Sequence, residues 1–138
     1  MQVEYSKPLP TIEEGDRPFW EAARRREVSV QRCSACGHLR FPPARICPRC
    51  RSDRAEWTVL SGRGRVWSFT VFHKCYFPGF ADEMPYNVAV VELDEGLRMF
   101  TNLTGLENSA IQVGMPVRAE FEDATEEVTL IKFRPDGG

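Results

Sequence analysis

Two couplets, Cys33-Ser34-Ala35-Cys36 and Cys47-Pro48-Arg49-Cys50, stand ten residues apart in this chain. No other feature restricts the fold as tightly. A Cys-x-x-Cys segment closes into a knuckle with both sulfurs on one side, and two facing knuckles supply the four soft ligands, at about 2.3 Å, of a tetrahedral zinc site. Gly37 directly follows the first couplet, where a knuckle often needs positive φ, and Pro42, Pro43 and Pro48 stiffen the return. Iron fits the same four-thiolate cage. A closed set of four sulfurs leaves no position for water or substrate, so Cys33, Cys36, Cys47 and Cys50 are expected to hold a structural metal, zinc first. Disulfides are the competing arrangement. Against them, the N-terminus carries no secretory apolar segment, and Cys75 is left odd. Cys75 has only His73 nearby as a base and reads as a packed or loop thiol.

The charge distribution divides the chain. Residues 21–54 carry nine arginines against three acids, a formal +6, and bound metal with four thiolates lowers this to about +4. Residues 55–138 carry seven basic and thirteen acidic side chains, a formal −6. A basic metal module joined to an acidic one points to an anionic ligand or partner on the metal side, with scattered surface arginine as the plain alternative. The longest uninterrupted apolar run is Val88 to Val91, far short of the roughly 20 residues of a membrane span. The chain is therefore read as cytoplasmic and without a membrane partner.

Three parts are expected: an arm and helix over 1–27, a zinc ribbon over 28–54 and a barrel over 55–138. Pro8 and Pro10 make residues 1–14 an extended arm. Asp16 offers an N-cap to a helix from Arg17 to Glu27, with Pro18 in its first turn and Phe19, Trp20 and Ala23 on one face. Val28 to Gln31 and Leu39 to Phe41 suit strands entering and leaving the first knuckle. From Trp57 the pattern is strand after strand: Trp57 to Leu60, Arg65 to His73 with Trp67, Phe69 and Val71 on the buried side, Asn87 to Leu93, Leu97 to Leu103, Val117 to Asp123, and Val128 to Phe133. Five or six short antiparallel strands in so small a segment suggest a Greek-key barrel. Between Lys74 and Tyr86 runs a loop too long and too apolar for a plain hairpin; it is expected either to fold back on the barrel or to line a ligand groove or interface.

Pro18-Phe19-Trp20, Arg32-Cys33-Ser34-Ala35-Cys36-Gly37, Phe41-Pro42-Pro43, Cys47-Pro48-Arg49-Cys50, Ser61-Gly62-Arg63-Gly64, Ser68-Phe69-Thr70-Val71, Val88 to Leu93 and Gly114-Met115-Pro116-Val117 occur in this order. In that order they resemble the domain-of-unknown-function family that joins a rubredoxin-like zinc ribbon to a C-terminal OB-fold and is associated with acyl-CoA metabolism. The resemblance implies a mostly β protein, with a helical arm, a ribbon and a five- to six-stranded OB-fold barrel. It further implies a non-catalytic accessory subunit in a hetero-oligomer with a thiolase-fold enzyme, of the thiolase/hydroxymethylglutaryl-CoA synthase or steroid side-chain aldolase type. The catalytic residues would then sit on the partner, and this chain would help hold a coenzyme A thioester.

The residues support the non-enzymatic part independently. No Ser/His/Asp or Cys/His/Asn arrangement is recognisable, and Gly62-x-Gly64 is too short for a nucleotide fingerprint and suits a bulge or sharp bend. By proximity in sequence, Arg40 and Arg45 are candidates for the phosphates of CoA, Phe77 and Phe80 for covering its pantetheine arm, and His73 for a polar contact near the thioester. Nucleic-acid binding is the alternative, since ribbons and OB-folds both serve it. The acidic barrel opposes it, with Glu120 and Glu122 facing outward from the strand that contains them.

Overall fold

Apolar alternation builds two antiparallel sheets in the computed structural model, which describes residues 7–136. A 3-10 turn at Glu14–Asp16 leads into α1 (Arg17–Arg24). The first sheet contains β1 (Val28–Cys33), β2 (Leu39–Arg40) and β3 (Ala55–Leu60) in the order β2-β1-β3. The second contains β4 (Arg63–Phe72), β5 (Tyr86–Leu93), β6 (Arg98–Thr101), β7 (Pro116–Asp123) and β8 (Thr129–Pro135) in the order β6-β5-β4-β7-β8. A parallel bridge between Leu103 and Phe133 brings the two ends of this second sheet together. The Thr104 N–H donates to the Phe133 carbonyl at 2.9 Å, and the Phe133 N–H to the Asn102 carbonyl at 3.2 Å. With its ends joined by that bridge, the five-stranded sheet curls into the half-barrel of an OB-fold.

Both sheets feed one core. Val28, Val30 and Leu60 from the ribbon sheet are buried in the same cluster as Val66, Ala89, Val91, Leu93, Val117 and Phe133 from the barrel. Burial alternates strictly along β5, with Asn87, Ala89, Val91 and Leu93 inside. Asn87 is admitted because its amide is used: it donates to the Leu103 carbonyl at 3.0 Å and accepts from the Leu103 N–H at 2.6 Å. At the other end of the ladder Gly64 lies opposite Leu93, and a Cβ there would overlap the Glu92 carbonyl. This is the close backbone approach behind the Gly62-x-Gly64 signal.

Several expectations are revised. The helix stops at Arg24 rather than Glu27, because Arg26 enters the left-handed region at φ 68°. The Glu27 N–H then bonds the Ala22 carbonyl and the Arg26 N–H the Ala23 carbonyl, both at 2.9 Å, which is the Schellman arrangement with arginine in the usual glycine position. Asp16 precedes the helix but its side chain makes no capping bond, since its backbone already continues from the 3-10 turn. Trp67 does not face the core. The register of β4 against β5 slips between Val66 and Ser68, so Trp67 is the extra residue of a bulge and stands 49% exposed. Trp57 to Leu60, counted with the barrel strands by pattern, belongs to β3 and pairs with β1. Of the expected arm, residues 1–6 lie outside the described residues, and residues 7–13 have no regular structure.

Phe19 resolves where the helix's aromatic face goes. It is buried, with its ring 5.1 Å from Phe41 of the ribbon, while Trp20 meets it edge-on at 5.2 Å. Ala22 and Ala23, both fully buried, let α1 lie close against β1, β7 and β8.

Candidate metal centre and the flanking grooves

The two knuckles are built alike. Gly37 donates its N–H to the Cys33 carbonyl at 2.9 Å, and Arg51 donates to the Cys47 carbonyl at 2.8 Å. The Cys33 N–H reaches the His38 carbonyl and the Cys47 N–H the Ser52 carbonyl, so each couplet is fixed at both ends. Gly37 has φ 78° and Arg51 φ 66°: the position after each couplet is left-handed, and only the first has glycine there. The knuckles bring the four sulfurs within 4.8 Å of one another, with Cys33 to Cys50 at 3.4 Å and Cys36 to Cys47 at 3.7 Å. Four sulfurs at about 2.3 Å from a common centre stand about 3.8 Å apart, so the donor set fits tetrahedral zinc.

Electrostatics ask for a cation in the same place. The Cys36 N–H, opposed by burial and aided by the Ala35 N–H and neighbouring sulfurs, holds the Cys33 thiol down at about 6. For Cys50 the Ser52 N–H favours the thiolate, but the Cys33 sulfur, burial and the other two cysteines prevail and push its thiol up to about 12. The Cys47 thiol is lowered like that of Cys33: burial opposes this, but the N–H groups of Cys50 and Arg49 and the neighbouring sulfurs prevail. A cage that stabilises two thiolates yet resists a full set is completed by a dication. Cys33 and Cys47 are buried and Cys36 and Cys50 exposed, so the centre sits at the ribbon surface. Its metal role is structural, since all four ligands come from the chain. Among the described residues this is the one cluster able to hold a metal through three or more such ligands.

The other candidate residues are not gathered into one site. Arg40 is only 5% exposed; its Nε donates to Gln31 Oε1 at 2.8 Å and its Nη2 to the Ala44 carbonyl at 3.0 Å, so it braces the ribbon loop. Arg45 is exposed. His73 and Phe77 are exposed, and Phe80 is half-buried with its ring stacked 4.8 Å from Tyr86, which stacks in turn on Phe72 at 5.1 Å. The aromatic group thus sits at the Tyr86 end of β5. Arg40 lines a groove of about 530 Å³ whose far wall is Gly96, Leu97 and Arg98, beyond the opposite end of β5. The rise of that strand separates the two ends by roughly 23 Å. The Cys75 thiol donates to the Phe77 carbonyl at 2.9 Å and is exposed.

The pattern of the chain did not disclose that groove, which forms between the ribbon and the β5–β6 turn, nor the outward Trp67. The Arg98 guanidinium lies 3.9 Å from the Trp67 ring centre and donates to Glu92 at 3.0 Å. Only the strand register brings these together. The left-handed Arg51, by contrast, could have been inferred from its place one residue past a couplet.

Residues 20–56 match the family described as "ChsH2, rubredoxin-like zinc ribbon domain", and residues 57–122 match "ChsH2, C-terminal OB-fold domain". The chain belongs to the ChsH2 (DUF35) family. A ChsH2-family chain in the solved "Ltp2-ChsH2(DUF35) aldolase" is 43% identical, with a TM-score of 0.85, and the match covers 94% of this chain and all of that one. The "Probable enoyl-CoA hydratase alpha subunit" of Thermomonospora curvata is 45% identical over 130 residues, 94% of this chain and 40% of that protein. The "Benzoylsuccinyl-CoA thiolase subunit BbsA" of Thauera aromatica is 38% identical over 79 residues, 56% of this chain and 52% of that protein. This chain therefore spans about half or less of those two curated relatives. Among its described residues no helix is long and apolar enough to cross a membrane.

Proposed function

We propose that this chain is a non-catalytic accessory subunit that binds and stabilises a thiolase-fold enzyme, of the thiolase/hydroxymethylglutaryl-CoA synthase or steroid side-chain aldolase type, and helps hold its acyl-CoA substrate. The observation that carries the reading is the closed cysteine cage: the best-defined cluster of reactive side chains has a bracing task, while the family relatives bear the names of aldolase, hydratase and thiolase subunits. The groove whose lining residues Ala44 and Ile46 flank Arg45, and the aromatic pair Phe77 and Phe80, lie toward opposite ends of β5, so only an elongated ligand, with phosphates at one end and an acyl chain at the other, reaches both. Arg40 would serve such a ligand indirectly, by shaping the ribbon wall, and His73 would stand beside the aromatic end.

The test is acyl-CoA turnover by the co-purified enzyme alone, by this chain alone, and by the two together. Turnover by the complex, weaker or less stable turnover by the enzyme alone, and none by this chain is the expected outcome. Turnover by this chain alone that Cys75→Ala or His73→Ala abolishes would overturn it.

A further inference from the structure

Resting on that accessory-subunit reading, we propose that the partner enzyme docks on one continuous strip running from the ribbon loop to the outer face of β4–β6, and that it meets this strip with an apolar centre rimmed by acidic side chains. The apolar part of the strip is built from three exposed side chains. Ile46 is 56% exposed on the ribbon side of the 530 Å³ groove, Trp67 is 49% exposed, and Phe100 is 79% exposed. Arg98 joins them: it lines the groove, stacks on Trp67 at 3.9 Å, and lies two residues from Phe100 on the same face of β6. Exposed aromatic and arginine groups clustered in this way are the usual anchors of protein interfaces, and a soluble monomer rarely leaves such a patch uncovered.

The charge beside the strip identifies the chemistry of the occupant. Arg45 and Arg49 adjoin the groove residues Ala44, Ile46 and Pro48. They, and Arg32, Arg51 and Arg54 elsewhere on the ribbon, are exposed, and none forms an ion pair with a described residue. The barrel behaves differently: Arg63, Arg98, Arg118, Lys132 and Arg134 each face a carboxylate of this chain. Positive charge left without a carboxylate partner is concentrated on the ribbon, although Arg65 and Lys74 of the barrel segment also form no ion pair with a described residue. It calls for a complementary acidic rim, which speeds encounter and fixes orientation. A second copy could offer its acidic barrel, but a ribbon-to-barrel contact between copies is heterologous and propagates into open assemblies unless it closes. A separate enzyme subunit carries no such penalty.

The experiment is affinity purification of the tagged, zinc-loaded chain from its native cell, identification of the co-purifying subunit, and titration of that purified subunit with wild type and variants. Ile46→Asp, Phe100→Asp and Arg49→Glu alter the strip. Val59→Asp is the control, because Val59 is exposed in a different groove, beside Arg63 and Arg118. Each variant is first matched to wild type in zinc content and unfolding midpoint. An acyl-CoA-processing enzyme held by wild type and Val59→Asp, with affinity about 30-fold lower or worse for Ile46→Asp and Phe100→Asp and a shallower salt dependence for Arg49→Glu, is expected. Undiminished affinity in every variant would overturn the docking surface and leave the accessory-subunit reading intact. Absence of any such enzyme from the wild-type eluate overturns both. Self-association lost in Ile46→Asp assigns the strip to a second copy, and oligonucleotide binding lost in Arg49→Glu assigns it to nucleic acid; either result overturns the proposal.

Discussion

At the residue scale, backbone conformation separates positions that look equivalent in sequence. Gly37 and Arg51 occupy the same place in the two knuckles and share a left-handed backbone, which costs a side-chain-bearing residue about 1–2 kcal/mol. Gly37→Ala should destabilise the ribbon by about 1 kcal/mol, and Arg51→Gly should leave stability unchanged or raise it by a similar amount, measured by denaturant unfolding of the zinc-loaded protein. Gly64 is constrained by space instead. Its missing Cβ makes room for the Glu92 carbonyl, so Gly64→Ala forces apart the β4–β5 ladder and should cost about 1–3 kcal/mol. A midpoint equal to wild type would show that the strands approach less closely than described. Residue type alone announced Gly37; it could not distinguish Gly64 from an ordinary turn glycine, because the reason lies on a strand some thirty positions away.

At the element scale, α1 is held less by its own sequence than by what its end grips. Arg26 makes a bidentate bond to Asp123 at 2.8 and 2.9 Å, and Arg24 donates to the Thr125 carbonyl at 2.9 Å, tying the helix C-terminus to the β7–β8 hairpin. The Arg26 guanidinium first, then the Thr129 hydroxyl and the charge of Arg24, hold the Asp123 carboxyl well below the usual carboxylate range. A carboxyl whose folded pKa is depressed adds stability that is complete above its unfolded value, near 4, and drains away as pH falls from there toward the folded value. The unfolding temperature should therefore fall on acidification below about pH 4, and Asp123→Asn should fall less steeply over the same interval, as followed by circular dichroism. The hydrophobic face of α1 was legible from Phe19 and Trp20. Its early stop was not, because the sequence has no glycine at the C-terminal turn and the arginine there draws its support from a distant hairpin.

At the scale of the whole molecule, the ribbon and the barrel are chemically distinct and physically joined. Val28, Val30 and Leu60 share a buried cluster with the barrel strands, and Phe19 of α1 closes over it. Metal removal should consequently lower the unfolding temperature of the entire chain as a single calorimetric transition, with one zinc released per chain. A barrel that melts separately at its original temperature would show that the two modules do not share a core. Charge follows the opposite logic: the barrel pairs five of its seven bases with its own carboxylates, while the exposed arginines of the ribbon form no ion pair with a described residue.

Sequence by itself determined the four-cysteine cluster, the ribbon-then-barrel order and the family, because cysteine spacing, strand alternation and turn residues are local properties. The burial period also located most strands, though it did not show that β3 pairs with β1, and it put Trp67 on the buried side. Both have one cause. Periodicity says which residues alternate but not which partner strand they meet, and one bulge inverts the face of a side chain. Tertiary structure alone decided that Arg40 is a brace, that the arginine and aromatic candidates lie at opposite ends of β5, and that Ile46, Trp67 and Phe100 form one strip. Such facts depend on pairing between residues far apart in the chain, and nothing in the spacing of a sequence encodes the distance between two sheets.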